Sequence, residues 1–288
     1  MQIGVVFPQT EIGADHGGIR AYAAAIEEAG YRHVLAYDHV LGADPASYPG
    51  WSGPYNVHDT FHEPLALFAF LAGFTGLEFV SGVMILPQRQ TVLVAKQAAA
   101  VDILSGGRLR LGIGIGWNAV EYEALGRDFH TRGRRMDEQI ELMRRLWTEP
   151  VVNFDGRDHI VRGAGIAPLP VQRPIPIWIG SRKDERGLRR VGRLADGWIP
   201  LGVPEDEFRQ SKEVVRAAAV EAGRDPDALG IEGRVEYGDG DLDRIGAVAR
   251  AWRDAGATHL AVNTMAAGLG GPDGHIAALQ TVAKALPG

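Results

Sequence analysis

The chain has 288 residues, is 45% hydrophobic and 23% charged, and carries a net charge of −6. That is enough apolar material for a large buried core, while the acidic balance argues against a dedicated nucleic-acid binder and no apolar run nears the roughly 20 residues of a membrane helix. The absence of cysteine excludes disulfides, thiolate metal sites and a cysteine nucleophile.

In chain order, Met1 leads straight into a strand at 2–7 with no signal-type segment, which predicts a cytoplasmic protein. A helix at 17–29 ends at Gly30, and a strand follows at 33–37. The long connection 40–62 holds Tyr48, Trp51 and Tyr55; it suits a lid and substrate wall, or a surface loop folded on its own aromatic residues. A helix at 64–74, a strand at 78–86, a helix at 92–104, a strand at 108–115 and a helix at 132–147 come next. The connection 149–173 carries two strand-like runs, 151–154 and 159–162, around Asp155-Gly156, the signature of an inserted hairpin. Four further strand and helix pairs complete the chain, at 176–180 and 185–194, 197–200 and 205–222, 231–237 and 242–255, and 259–263 and 273–285. Eight such units in one domain over 1–288 predict an α/β fold, a (β/α)8 TIM barrel with insertions after strands two and four and with ligands at the C-terminal strand ends. An open doubly wound sheet is the alternative.

The densest signal is Gly112-Ile113-Gly114-Ile115-Gly116-Trp117-Asn118, where predicted strand four gives way to a helix. Backbone N–H groups at such an edge are open to a flat or anionic ligand; the competing reading is that small residues relieve crowding inside a barrel. The run reads G-x-G-x-G and ends the fourth strand, so it does not fit the dinucleotide fingerprint. The other strand ends offer Asp38-His39 after strand two, Leu86-Pro87 after strand three, Gly180-Ser181-Arg182 after strand five, and Pro200, Tyr237 or Asn263 later. A metal-dependent barrel needs converging His, Asp and Glu ligands, and the late strands supply none on this reading, so no metal is expected. Ser181 has no evident histidine partner for a nucleophilic role. This inventory suits an organic cofactor that carries the redox step itself.

Tyr37-Asp38-His39, His62-Glu63-Pro64-Leu65, Gly82-Val83-Met84-Ile85-Leu86-Pro87, Ala95-Lys96-Gln97-Ala98, Asp102-Ile103-Leu104-Ser105-Gly106-Gly107-Arg108, Gly114-Ile115-Gly116-Trp117-Asn118, Arg135-Met136-Asp137-Glu138 with Leu146-Trp147, and Pro176-Ile177-Trp178-Ile179-Gly180 follow one another in a specific order and spacing. Together they resemble the luciferase-like flavin and deazaflavin oxidoreductases, specifically the branch dependent on coenzyme F420. The resemblance covers most of the chain and weakens from about Val203. It implies an F420-dependent oxidoreductase that moves a hydride between C5 of the deazaflavin and a small organic substrate. The alternatives are an FMN-dependent monooxygenase fed by a partner flavin reductase and a non-catalytic F420 or flavin carrier.

The resemblance further implies a ring in the barrel mouth, its phosphate toward the loops after strands four and five. The implied cofactor contacts are Asp38, Ser81, Gly82, Val83, Gly114, Gly116, Trp117, Asn118, Gly180, Ser181 and Arg182, with a non-prolyl cis peptide at Gly82–Val83. His39 is the implied catalytic residue, suited to proton transfer near neutral pH; a buried, backbone-satisfied histidine is its bland reading. Arg182, Arg186, Arg189 and Arg193 share one helix face, which suits the oligoglutamate tail of F420 or a solvated face balanced by acids. The sequence departs from the sugar-phosphate dehydrogenase relatives at Trp117, where they carry a glutamate acid, which points away from glucose-6-phosphate oxidation. Tyr48, Trp51, Tyr55 and Trp117 suggest an apolar or aromatic substrate, and relatives suggest a homodimer through outer helices.

Overall fold

A computed structural model describes residues 1–286. Strands β1 (Gln2–Val6), β2 (His33–Ala36), β3 (Glu78–Ser81) with its continuation β4 (Met84–Ile85), β5 (Leu109–Gly114), β8 (Ile177–Ser181), β9 (Gly197–Pro200), β10 (Gly230–Glu236) and β11 (His259–Asn263) pair in parallel. The β3–β5 pairing closes the ring, so the sheet is the expected eight-stranded barrel rather than an open one. Most of these strands are buried at nearly every position, as parallel strands covered on both faces must be. That double burial explains why they read as continuous apolar runs.

Helices α2 (His16–Glu28), α3 (Pro64–Ala72), α4 (Thr91–Ser105), α6 (Arg132–Thr148), α7 (Glu185–Leu194), α8 (Asp206–Glu221), α9 (Leu242–Asp254) and α10 (Pro272–Ala285) form the outer layer. Phe7, Tyr22, Phe68, Phe79, Trp147 and Trp252 fill the space between strands and helices. A smaller cluster that includes Val6, Leu35, Val80, Trp178, Ile199 and Ala261 forms separately. Short helix α1 (Gln9–Ile12) follows β1 and has no counterpart among the expected elements.

The hairpin, β6 (Val152–Asp155) with β7 (Ile160–Ala164), follows α6 in the connection 149–173, where the sequence predicts it. Its turn is fastened to the outer layer, where Glu138 of α6 accepts hydrogen bonds from the backbone N–H groups of Arg157 and Asp158, and His159 bridges Glu138 and Thr91. The segment that leaves strand four spans residues 115–131. It contains α5 (Ala119–Ala124) and a 3-10 turn at Phe129–Thr131. Short amphipathic segments of this length carry too little periodicity to be seen in sequence.

Between β3 and β4 the chain bulges. Val80 pairs with Arg110 and Met84 with Ile113, four steps on one strand against three on its neighbour. The extra residue pushes Gly82 and Val83 out of the ladder. The peptide bond between them is cis.

Candidate active site at the barrel mouth

The bulge accounts for the glycines that dominated the sequence. Gly112, Gly114 and Gly116 alternate and so share one face of β5 and its extension. A Cβ on Gly112 would overlap the carbonyl of Ser81, one on Gly114 would lie 2.5 Å from Val83 Cγ2, and one on Gly116 would lie 2.7 Å from Ile85 Cγ2. Across the mouth, a Cβ on Gly180 would lie 2.7 Å from Val83 Cγ1. Two strands, β5 at Gly114 and β8 at Gly180, are therefore cut back to admit the Val83 side chain, which becomes an apolar knuckle between them. Gly116 also has φ +65°, open to glycine and strained for other residues.

Around this knuckle lies a cavity of about 950 Å³. Of the residues named from sequence, Asp38, His39, Gly82, Val83, Gly114, Gly116, Trp117, Gly180, Ser181 and Arg182 line it together. Ser81 and Asn118 do not. The buried Ser81 hydroxyl donates to the Gly112 carbonyl at 2.7 Å, and Asn118 caps α5 by accepting from the Val120 N–H at 3.0 Å. Asp38 lines the wall, but its carboxylate accepts from the Ile85 N–H at 2.9 Å and from Arg89 at 2.7 Å. It thereby ties the end of β2 to the strand that follows the bulge.

His39 stands in an aromatic cage, with ring centroids 4.7 Å from Phe61, 5.1 Å from Tyr55 and 5.7 Å from Trp117. Its Nδ1 lies 3.4 Å from Oε1 of buried Glu121. The same oxygen accepts the Val40 N–H at 2.8 Å, so α5 holds the loop that carries His39. Glu121 escaped the sequence reading because nothing local links it to a histidine 82 positions earlier. The long connection 40–62 lies over the same wall, with Trp51 5.7 Å from Trp117 and with Pro54, Tyr55 and Asp59 reaching the cavity.

Two of the four arginines of the stripe are spent on surface ion pairs. Arg189 pairs with Glu221 and Arg193 with Asp137, whereas Arg182 lines the cavity. Arg190, absent from the stripe, also lines it while pairing with Asp137. The expectation that late strands bring no acids needs correction, because β10 alternates Glu232, Arg234 and Glu236 and all three border the cavity. A charged residue at every second strand position is invisible to a reading that inspects only strand ends. Even so, no group of three or more potential metal ligands converges among the described residues.

A flat, largely apolar cofactor fits this arrangement. Gly82, Gly114, Gly116 and Gly180 line the cavity without side chains, Val83 supplies an apolar backing beside them, and among the described residues no metal-ligand cluster competes for the space. The sequence profile of the luciferase-like monooxygenase family matches residues 1–238.

The chain belongs to this family.

Among its relatives, the F420-dependent glucose-6-phosphate dehydrogenase of Gordonia bronchialis is 31% identical over 228 residues, covering 75% of this chain and 63% of that protein. The pyrimidine monooxygenase RutA of Allorhizobium ampelinum is 33% identical over 192 residues, covering 62% and 51%. The solved structure of an F420-dependent secondary alcohol dehydrogenase in complex with an F420–acetone adduct superposes with a TM-score of 0.79 at 16% identity, covering 100% of this chain and 99% of that one. The family is thus one of oxidoreductases and monooxygenases that share this luciferase-like barrel.

Proposed function

We propose that this luciferase-like barrel is an F420-dependent oxidoreductase acting on a small organic substrate with an apolar or aromatic body. The observation that carries the reading is the Val83 knuckle between Gly114 and Gly180, set in a cavity whose wall presents His39. When bound, the deazaflavin supplies hydride chemistry at C5. Gly82, Val83, Gly114 and Gly116 would bear on its ring and Gly180, Ser181 and Arg182 on its phosphate. Trp117, Tyr55 and Phe61 exclude water around His39, which holds or gives a proton at its ring nitrogen. Asp38 acts by positioning. A cytoplasmic location is part of this proposal; among the described residues no helix is long and apolar enough to cross a membrane.

An FMN-dependent monooxygenase with a partner reductase is the second reading, and one observation favours it. Arg189 and Arg193 are already paired with acids, which weakens the case for a landing strip for an oligoglutamate tail. Titration of the purified protein with F420 and with FMN, followed by fluorescence quenching at low and raised salt, separates the two. Selective, salt-sensitive F420 binding supports the first reading; tighter FMN binding replaces it with the second. Cofactor binding without turnover on any substrate would favour a carrier. His39→Ala is expected to lower turnover by about 10²-fold with cofactor affinity little changed, and unchanged turnover would remove His39 from the mechanism.

A homodimer belongs to the same proposal. Val92, Leu93, Ile103 and Leu104 of α4 are exposed, and a second copy offering the same face would cover them in a closed two-fold arrangement. Light scattering should then give twice the chain mass.

A further inference from the structure

We infer that Tyr37 and Arg234 form a donor pair that grips a carbonyl or hydroxyl oxygen of the substrate, with Tyr37 giving its proton to that oxygen. This deepens the hydride-transfer reading and rests on it for the chemistry, though not for the binding. Tyr37 and His39 lie two positions apart at the end of β2 and both line the cavity, so two proton-bearing groups address one space from one strand edge. The Tyr37 oxygen accepts a hydrogen bond from Arg234 Nη1 at 3.2 Å. A phenol also carries a proton to donate, and none of the hydrogen bonds among the described residues takes it up.

Arg234 reaches Tyr37 from β10, across the barrel. Its Nε donates to Glu236 Oε1 at 2.7 Å, and Asn263 Nδ2 donates to Glu236 Oε2 at 2.6 Å, so the guanidinium is fixed by a carboxylate that is itself fixed. No protein acceptor takes the N–H groups of Arg234 Nη2 among these contacts. The spare donors of the pair therefore belong to one cluster on the cavity wall. Because Glu236 offsets the charge of Arg234, the pair suits a neutral oxygen better than a free carboxylate. Burial pushes the Tyr37 phenol up to about 12, against the opposing charge of Arg234, so it is a protonated donor at neutral pH.

A reduced deazaflavin held by Gly82, Val83, Gly114 and Gly116 would supply the hydride to the carbonyl carbon and would itself be oxidised, the C–O π pair moving onto oxygen. The Tyr37 O–H bond breaks as the new O–H bond forms, the phenolate is held beside the Arg234 guanidinium, and His39, which lines the same cavity, returns the proton through water. Alcohol oxidation is the reverse. Donors preset toward an oxygen that gains charge stabilise the transition state more than the ground state.

The test uses 4-(dimethylamino)cinnamaldehyde, a flat aromatic aldehyde whose absorbance moves to longer wavelength when its carbonyl oxygen accepts strong hydrogen bonds. Wild type should bind it saturably with such a shift, with or without cofactor. Tyr37→Phe, which removes only the hydroxyl, should lose most of the shift, Arg234→Met part of it, and His39→Ala little. With reduced F420 present, Tyr37→Phe should cut aldehyde reduction by about 10²-fold while F420 affinity stays within about twofold. No saturable shift in wild type, or the same shift in correctly folded Tyr37→Phe, overturns the donor pair. Failure to bind F420 would count against the proposed cofactor alone, since the probe shift is read without it.

Discussion

At the N-terminal end of the barrel the interior is closed by charge, whereas at the C-terminal end it is opened by removing side chains. At the closed end, which meets the cavity floor at Glu232, His33 and Arg110 each approach the buried Glu232 carboxylate at 2.8 Å, and Arg110 also donates to Glu78 at 2.8 Å while its guanidinium lies 4.5 Å from the Trp178 ring. At the open end Gly112, Gly114, Gly116 and Gly180 make way for the bulge and its Val83. A buried ion network tolerates little change, because removing one member leaves another charge unpaired in a poor solvent. An apolar mouth relieved by glycine tolerates a ligand but not a methyl group. One end is built for stability and the other for occupancy, and substitutions should separate the two.

The largest effect is expected at the closed end. Glu232→Gln should destabilise the fold by about 3 kcal/mol, the low end for breaking a buried pair, as read by urea denaturation. Cofactor affinity of the folded protein should change little, and a pure loss of binding with unchanged stability would dissolve the contrast. Gly114→Ala comes next, at about 1–3 kcal/mol for overpacking, together with weakened cofactor binding. Adding Val83→Ala should recover much of the stability, because it removes the side chain the new Cβ would meet. Independent, additive effects in that double-mutant cycle would show that the knuckle does not dictate the glycines.

Acid should act on the closed end first. Burial and then the Arg110 charge bring His259 down to about 3, so the unfolded chain binds a proton there that the folded chain refuses. Stability is therefore lost as pH falls from about 6.5 toward 3. Burial alone would raise Glu232, but the charges and hydrogen bonds of His33 and Arg110 outweigh it and bring the carboxyl to about 2. Its contribution is present above about 4.5 and fades as pH falls toward 2. Denaturation midpoints measured from pH 7 to 3 should decline throughout, and the decline above pH 4.5 should become shallower in His259→Gln, the rest coming from His159 and His275, which burial also lowers. The smallest effect is expected at Arg189→Ala, which breaks an exposed pair and should shift stability by about 0.5 kcal/mol or less. A marked loss of F420 affinity in that variant would restore the arginine stripe as a cofactor contact.

The sequence by itself determined the barrel, because eight doubly buried strands and their helices leave an apolar and periodic trace that local reading detects. It also determined which strand ends carry Asp38-His39, the glycine run and Gly180-Ser181-Arg182, since chain order and barrel topology put them at one mouth. It left open why the glycines are there, and only the tertiary structure decided this, because the atoms each one makes room for belong to the Ile85 or Val83 side chain or to the Ser81 carbonyl, all distant in sequence. Glu121 beside His39, and Arg234 reaching Tyr37 from 197 residues away, were hidden for the same reason. Hydrogen bonds and close packing depend on separation in space, and the barrel brings together residues whose distance along the chain carries no sign of the meeting.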